Sequence, residues 1–425
     1  MPMWPGADSP ALDRVLTAHE SSVGSPAPQA ADAPATWPLI GEHVDHAGGL
    51  VLMSLAPQRT AVALSHREDD LIRVNHHRTS PEGTVTTTDE ISSGVIADRA
   101  AAQQTGIDEQ GRAVTPPAPA GGLAARLGGI VWTMVNRQLL SRDTGGLDVT
   151  VVSDIPDDLG LGADAALEVA FVLALNSGSG TPDDAPLRAR LAEVCSQATA
   201  MFSDVPPLRA RHTAALRGTG GTIAAIDYAD GSVNQIPHPA TTRVRVLAVS
   251  APGHGPSEHG EIRTRRRFLD DACRAFGTDS LRLLPDATPR VLDWLRAVHR
   301  VHGTEGTPTV QEAAAWLSFT EQETVRAQRI NRALRSRRAD TIWPLLAESQ
   351  DTLSGLYGLS TAEELARLCR VRGALAARAA AAGVSGTVIV FVDARRATTF
   401  VADLVADGLT VVPLADGEVA AARPH

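Results

Sequence analysis

The sequence predicts an α+β protein of two domains, and three observations predict it. Strand-like stretches group toward both ends of the 425-residue chain: "GLVLMSLAPQRTAVALSHRE" (49–68) and "DDLIRVNHHRT" (69–79), then "TRVRVLAVSAPG" (242–253), "GTVIVFVD" (386–393) and "LTVVPLA" (409–415). Helical patterns cluster between them, over 260–382, whereas a doubly wound sheet would alternate strand and helix throughout. A Pro-bearing polar break, "SDVPPLRARH" (203–212), divides the chain, and its length allows two or three hydrophobic cores.

In chain order, residues 1–34 are rich in Pro, Ala and Ser and read as at least partly disordered. Residues 35–205 form the first expected domain. In it a Pro/Gly patch (116–122) leads into the helix "LAARLGGIVWTMVNRQLL". A strand, "GLDVTVVSDI", a turn, "PDDLGLGAD", and an apolar helix, "AALEVAFVLALNS", follow. Trp132 and Met134 read as core, His76 and His77 as a strand end. Residues 206–413 form the second domain, opening with the hairpin "GGTIAAIDYADGSVNQIPH", and 414–425 are a tail.

Composition excludes several functions. No lysine occurs, so a P-loop lysine and a Schiff base are both ruled out. A net charge of −10 argues against gripping nucleic acid. The basic run Arg263–Phe268, followed by Asp270 and Asp271, reads as a solvated helix face. Three separated cysteines give neither a metal spacing nor a disulfide framework, and no run of 18 apolar residues suggests a membrane span. The expectation is a cytoplasmic protein with no nucleic-acid or membrane partner.

Two stretches carry chemistry. "PLIGEHVDHAGGLVL" (38–52) presses Glu42, His43, Asp45 and His46 between apolar runs, and buried polar groups there need partners. Three partners fit: a metal held by His43, Asp45 and His46, a substrate, or the protein itself. "DIPDDLGLGADAALEVA" (154–170) reads as strand, Gly-bearing loop and helix, a generic anion site at a helix N-terminus.

Together these stretches resemble the galactokinases of the GHMP small-molecule kinase superfamily, whose motifs run GRVNLIGEHTDYNGG and PxGxGLSSSAALEVA. The likeness continues through "GHGPSEHGEIRTRR" (253–266; family H-x-x-x-GEYxxRR), "AESQDTLSGLYGLSTAEEL" (347–365; SHxSLRDxYEVS) and "GALAARAAAAGVSGTVIVFV" (373–392; GAxGARMTGGGFGGxxIALV). The resemblance implies a two-domain fold with the active-site cleft between domains. It implies a sugar held by Glu42, His43 and Asp45, and ATP phosphates on Gly160, Leu161, Gly162, Ala163 and Asp164. Carboxylates suit sugar hydroxyl donors through charge-assisted bonds.

The departures are as informative. The family's catalytic Arg falls on Thr36 and a nearby Asn on Pro38; the serine triplet falls on Gly162, Ala163 and Asp164. The catalytic Asp of CGIMDQ falls on Arg211 of "PLRARH", and that motif's Gly on Leu208. The sugar-contacting Tyr becomes Ile262, and the glycine run becomes Ala381 to Gly386. An Arg cannot act as general base. Losing base assistance costs roughly 10²- to 10⁴-fold, and losing a phosphoryl-stabilising Arg on the order of 10³- to 10⁵-fold. Asp164 opposes ATP phosphates unless it binds Mg²⁺. His254 falls on a family histidine and divides evenly between packing and function. The expectation is a sugar-binding protein with weak or lost C1 phosphorylation, acting as a regulator and possessing a regulatory protein partner in that role. The alternative is a divergent, active sugar kinase using ATP and Mg²⁺.

Overall fold

The computed structural model describes residues 9–80, 83–104, 106–107, 113–114, 116–177, 184–240, 243–253 and 257–423, so His254 lies outside the described residues. An eight-stranded mixed sheet takes five of its strands from the first half of the chain and three from the second. Its strands are β1 (Gln29–Ile40), β2 (Leu50–His66), β3 (Leu71–Ser80), β4 (Gly83–Ser92), β5 (Leu147–Ser153), the hairpin β6 (Thr222–Asp227) and β7 (Ser232–Pro237), and β12 (Ala421–Ala422). The order is β12-β1-β2-β5-β3-β4, with β6 pairing the first residues of β2 and β7 pairing β6. Only β3 and β5 run parallel. A second, antiparallel sheet has the order β9-β10-β8-β11, from β8 (Val244–Ser250), β9 (Ala376–Ala379), β10 (Val388–Asp393) and β11 (Thr410–Pro413).

Strand β1 carries two prolines, which cannot donate to a ladder and are tolerated at irregularities. Its pairing with β2 shifts register after Pro34 and again after Pro38. The second shift delivers Gly41 and the Glu42–Asp45 corner from the strand end.

Helix α1 (Ala11–Val23) lies over the first sheet, burying Val15 and His19, and β1 begins at Gln29. The expectation of partial disorder over 1–34 thus gives way to ordered structure from Ala11, and residues 1–8 lie outside the described residues. The expected break at 203–212 also moves. Helix α5 (Arg209–Arg217) and the β6–β7 hairpin pack on the first sheet, and the segment expected as a tail returns as β12. Of the sequence break, 203–208 is a loop and 209–212 open α5.

With few aromatics, small residues build the core. Helix α3 (Ala163–Asn176) is buried from Ala165 to Asn176, apolar on every side, as befits a helix enclosed on all faces. It lies beside β1 and β2 and is flanked by α4 (Ala185–Phe202) and α5. Helix α2 (Leu123–Asn136) packs on α4, burying Met134 and half-burying Trp132. Helices α6 (His259–Phe276), α7 (Val310–Arg335) and α8 (Trp343–Gly355) stand with the second sheet.

Candidate active-site cleft

Four elements meet where the sequence motifs converge: the end of β1, the β5–α3 turn, the start of α5 and the segment after β9. In the turn, Gly160 and Gly162 hold φ of 58° and 76°, left-handed values that glycine adopts without strain. They present the N-terminus of α3 to a cavity of about 420 Å³. Gly160, Gly162, Ala163 and Asp164 line it, together with His76, Arg126, Arg211 and His212. Leu161, expected with them, is fully buried, and its carbonyl accepts the Thr36 N–H at 2.8 Å.

Arg211 stands at the centre. Its Nη1 donates to the Thr36 carbonyl (2.6 Å) and to Thr36 Oγ1 (3.3 Å). Its Nη2 donates to the carbonyls of Gly160 (2.8 Å) and Ala380 (2.5 Å), and lies 3.6 Å from Glu42 Oε1. The two positions aligned with the family's catalytic Arg and Asp are therefore in contact, with the cation now on the helix side. Its terminal N–H groups are occupied by three backbone segments.

The phosphate-loop glycines are closely packed on one side. A Cβ on Gly160 would stand 2.3 Å from Ser385 Oγ, and one on Gly162 would stand 2.7 Å from Thr36 Oγ1 and 2.9 Å from Arg211 Nη1. Only glycine therefore fits at these two positions, whose Cβ sides are filled by protein atoms while the same residues line the cavity. The Asp164 carboxylate is 2.5 Å from Arg126 Nη1, and a guanidinium in that position competes with a metal. The carboxylate behind it is also engaged, since Glu168 Oε2 takes bonds from Thr199 Oγ1 (2.8 Å) and contacts His212 Nε2 (2.5 Å). Asp164, expected as a Mg²⁺ ligand, stands here in an ion pair with Arg126.

The Glu42–Asp45 corner lies on the other side of Arg211. Glu42 is 3% exposed and pairs with Arg378 Nη1 at 3.2 Å; Arg378 in turn reaches Glu323 Oε1 at 3.0 Å. Glu323 Oε1 also accepts from Ser349 Oγ (2.7 Å) and Gly41 N (3.2 Å), so this chain ties β1, α7, α8 and β9 together. His43 holds φ of 68°, strained for a residue with a side chain. Burial, reinforced by Arg266, lowers its pKa to about 3, so it is neutral. Neutral His43 donates from Nε2 to the Ala382 carbonyl (3.0 Å), which leaves Nδ1 a bare acceptor.

Other atoms nearby lack partners. Both Asp45 carboxylate oxygens, Glu42 Oε1, His43 Nδ1, His46 Nε2, Tyr357 Oη and all three Arg266 nitrogens are buried without a hydrogen bond. Native interiors hold few such groups, so their concentration needs an occupant or an opening. As a set, acceptors beside a guanidinium and a phenol match the mixed donor and acceptor edges of a sugar ring. The corner is closed to solvent, and a sugar would enter by parting these side chains. The metal alternative finds no ligand set: among the described residues no three His, Cys, Asp or Glu side chains converge.

Sequence reasoning missed Arg126, Glu168, Arg266, Tyr357 and Arg378. The signal for Arg266 was present but misread, because the Arg263–Phe268 run is not a solvated face: Arg265 and Arg266 are 7% and 6% exposed. The amphipathic period of α6, which buries Ile262, Phe268 and Leu269, carries Arg265 and Arg266 inward with them. Ile262 itself, at the family's tyrosine position, is core.

The comparisons agree with this geometry. The galactokinase galactose-binding signature matches residues 17–66, and the N-terminal domain of GHMP kinases matches residues 128–208. The galactokinase of Streptomyces coelicolor is 26% identical over 366 residues, covering 85% of this chain and 84% of that protein. The human galactokinase is 26% identical over 390 residues, covering 91% and 89%. In fold, the chain matches Lactococcus lactis galactokinase complexed with galactose at a TM-score of 0.69 and 16% identity, over 96% of this chain and 99% of that one. Mevalonate kinase of Methanococcus jannaschii matches at 0.57 and 11%, over 92% and 98%. With the GHMP-kinase fold, the matching signatures and the two motif segments meeting in one cleft, the chain is similar to the galactokinases over most of its length.

Proposed function

We propose that the protein binds galactose or a related neutral sugar at the Glu42–Asp45 corner, and that ATP-dependent phosphorylation at C1 is weak or lost. Glu42, His43 and Asp45 would hold the sugar, joined by Arg266 and Tyr357. The observation that carries this reading is the position of Arg211. It stands where the family places a general base, cannot accept a proton, and fills the space between sugar corner and phosphate loop.

ATP and Mg²⁺ enter only if activity persists. Gly160, Gly162 and the α3 N-terminus line a cavity, but Arg126 pairs with Asp164 and would compete with a metal there. No step through either is assigned. A second reading, a divergent kinase, is favoured by one fact: a cation remains beside the loop, now supplied by Arg211 rather than by position 36. In that reading Arg211 would leave its carbonyls to meet the transferring phosphoryl group.

One experiment separates the readings. Near-stoichiometric protein is incubated with galactose and MgATP and followed by phosphorus NMR for galactose 1-phosphate, alongside calorimetric titration with galactose alone. Saturable galactose binding without product supports the proposal. Product that survives repurification of the protein establishes the kinase reading, and absence of both binding and product overturns both.

A further inference from the structure

A second polar cavity, apart from the cleft, lies at the far end of α7. It measures about 310 Å³ and is lined by Arg329, Arg332, Ser336, Arg338 and Thr341 over Leu345. The segment 329–345 carries five arginines and one acid, Asp340, in a chain whose net charge is −10. Among the described residues none of Arg329, Arg332 and Arg338 has an ion-pair partner, and Asp340, in the short turn Ala339–Thr341, has none either. Elsewhere many arginines of this chain do find carboxylates, as Arg59, Arg67 and Arg282 illustrate.

Local geometry brings these three cations together. Arg329 and Arg332, three apart on α7, share a face. The helix then ends in a Schellman turn. The Arg337 N–H donates to the Leu334 carbonyl (2.9 Å), and the Arg338 N–H to the Ala333 carbonyl (2.9 Å). Arg337 holds φ of 55° at the position where glycine is usual, and this turn folds the chain back so that Arg338 joins the cavity. Complementing the negative helix end accounts for Arg332 and Arg335 in the last turn, but not for Arg329 a turn earlier or Arg338 beyond the end.

We propose that this cavity binds a phosphate-bearing small molecule, the arginine forks receiving the phosphate oxygens and the Ser336 hydroxyl supplementing them. Planar guanidinium forks suit phosphate bidentately, and the volume is at the lower end of ordinary small-ligand sites. Nucleoside diphosphates and sugar phosphates share this chemistry. The assignment is independent of whether the cleft is catalytic.

The test is calorimetric titration of the full chain with sodium pyrophosphate at 0.1 M salt. The triple variant Arg329→Gln/Arg332→Gln/Arg338→Gln is expected to lose one saturable site, with at least a tenfold rise in Kd. A control triple of exposed arginines elsewhere, Arg190→Gln/Arg300→Gln/Arg367→Gln, is expected to keep it. Should the first triple fold poorly, Arg332→Gln alone is expected to raise Kd several-fold. Competition by ADP or by a hexose 6-phosphate then tells which source of phosphate the cavity prefers, either one supporting the site. Equal weakening by the control triple, unchanged binding in the cavity triple, or capture of an acidic peptide with no pyrophosphate binding would each overturn the proposal.

Discussion

At the residue scale the cleft is governed by where a few charges stand. Arg378 is enclosed by Glu42 and Glu323 at 1% exposure or less on all three side chains. Removing one member of such a group leaves uncompensated buried charge, so Arg378→Met is expected to cost roughly 3–5 kcal/mol in urea unfolding. The exchange at positions 36 and 211 makes a sharper test. Restoring the family's arrangement with Thr36→Arg/Arg211→Asp is expected to raise MgATP turnover at least tenfold over the natural chain, with Arg211→Asp alone giving no gain because it sets a carboxylate near Glu42. The identities of Glu42, His43, Asp45 and Arg211 were legible in the sequence because each falls in a motif. The pairing of Asp164 with Arg126 was not: 38 residues separate them, and only the packing of α2 against α3 closes the distance.

At the element scale, termini and turns decide what is presented. Helix α7 begins with a capping box, Thr309 Oγ1 accepting from the Glu312 N–H (3.2 Å) and Glu312 accepting from the Thr309 N–H (2.8 Å). Thr309→Ala is expected to lower stability by about 1 kcal/mol, read from the shift in the denaturation midpoint. The phosphate-loop turn is less tolerant. Gly162→Ala meets both a left-handed φ and the Thr36 and Arg211 side chains, so it is expected to destabilise and to disturb Arg211 together. Most strands and helices were legible from periodicity, including the β5–turn–α3 unit and the β6–β7 hairpin. Helix α1 was not, because the Pro, Ala and Ser of the surrounding segment masked the short apolar pattern with which it covers the sheet face.

At the scale of the whole molecule, acidification is expected to destabilise. Burial lowers His43 to about 3, and His46 and His76 to about 4, from an ordinary 6.5. The unfolded chain therefore gains these protons near 6.5 while the fold refuses them until about 4 or below. The stability is complete above 6.5 and is lost as pH falls toward 4. Asp270, raised by burial to about 6, works the other way, since the fold takes its proton first. Three histidines outweigh that one carboxylate. Thermal melts should fall steadily from pH 6.5 to 4, by up to about 1.4 kcal/mol per pH unit for each net proton. Galactose at 100 times its Kd should add about 2.7 kcal/mol at neutral pH if the corner opens to it.

The sequence by itself determined the fold class, the family likeness and the identities standing at each motif position, because those follow from periodicity and from short contiguous patterns. The tertiary structure alone decided what those residues face. It turned Arg265 and Arg266 inward, spent Asp164 on Arg126, and laid Arg211 across three backbone segments. Burial and pairing depend on contacts between residues far apart in the chain, and such contacts leave no local pattern to read.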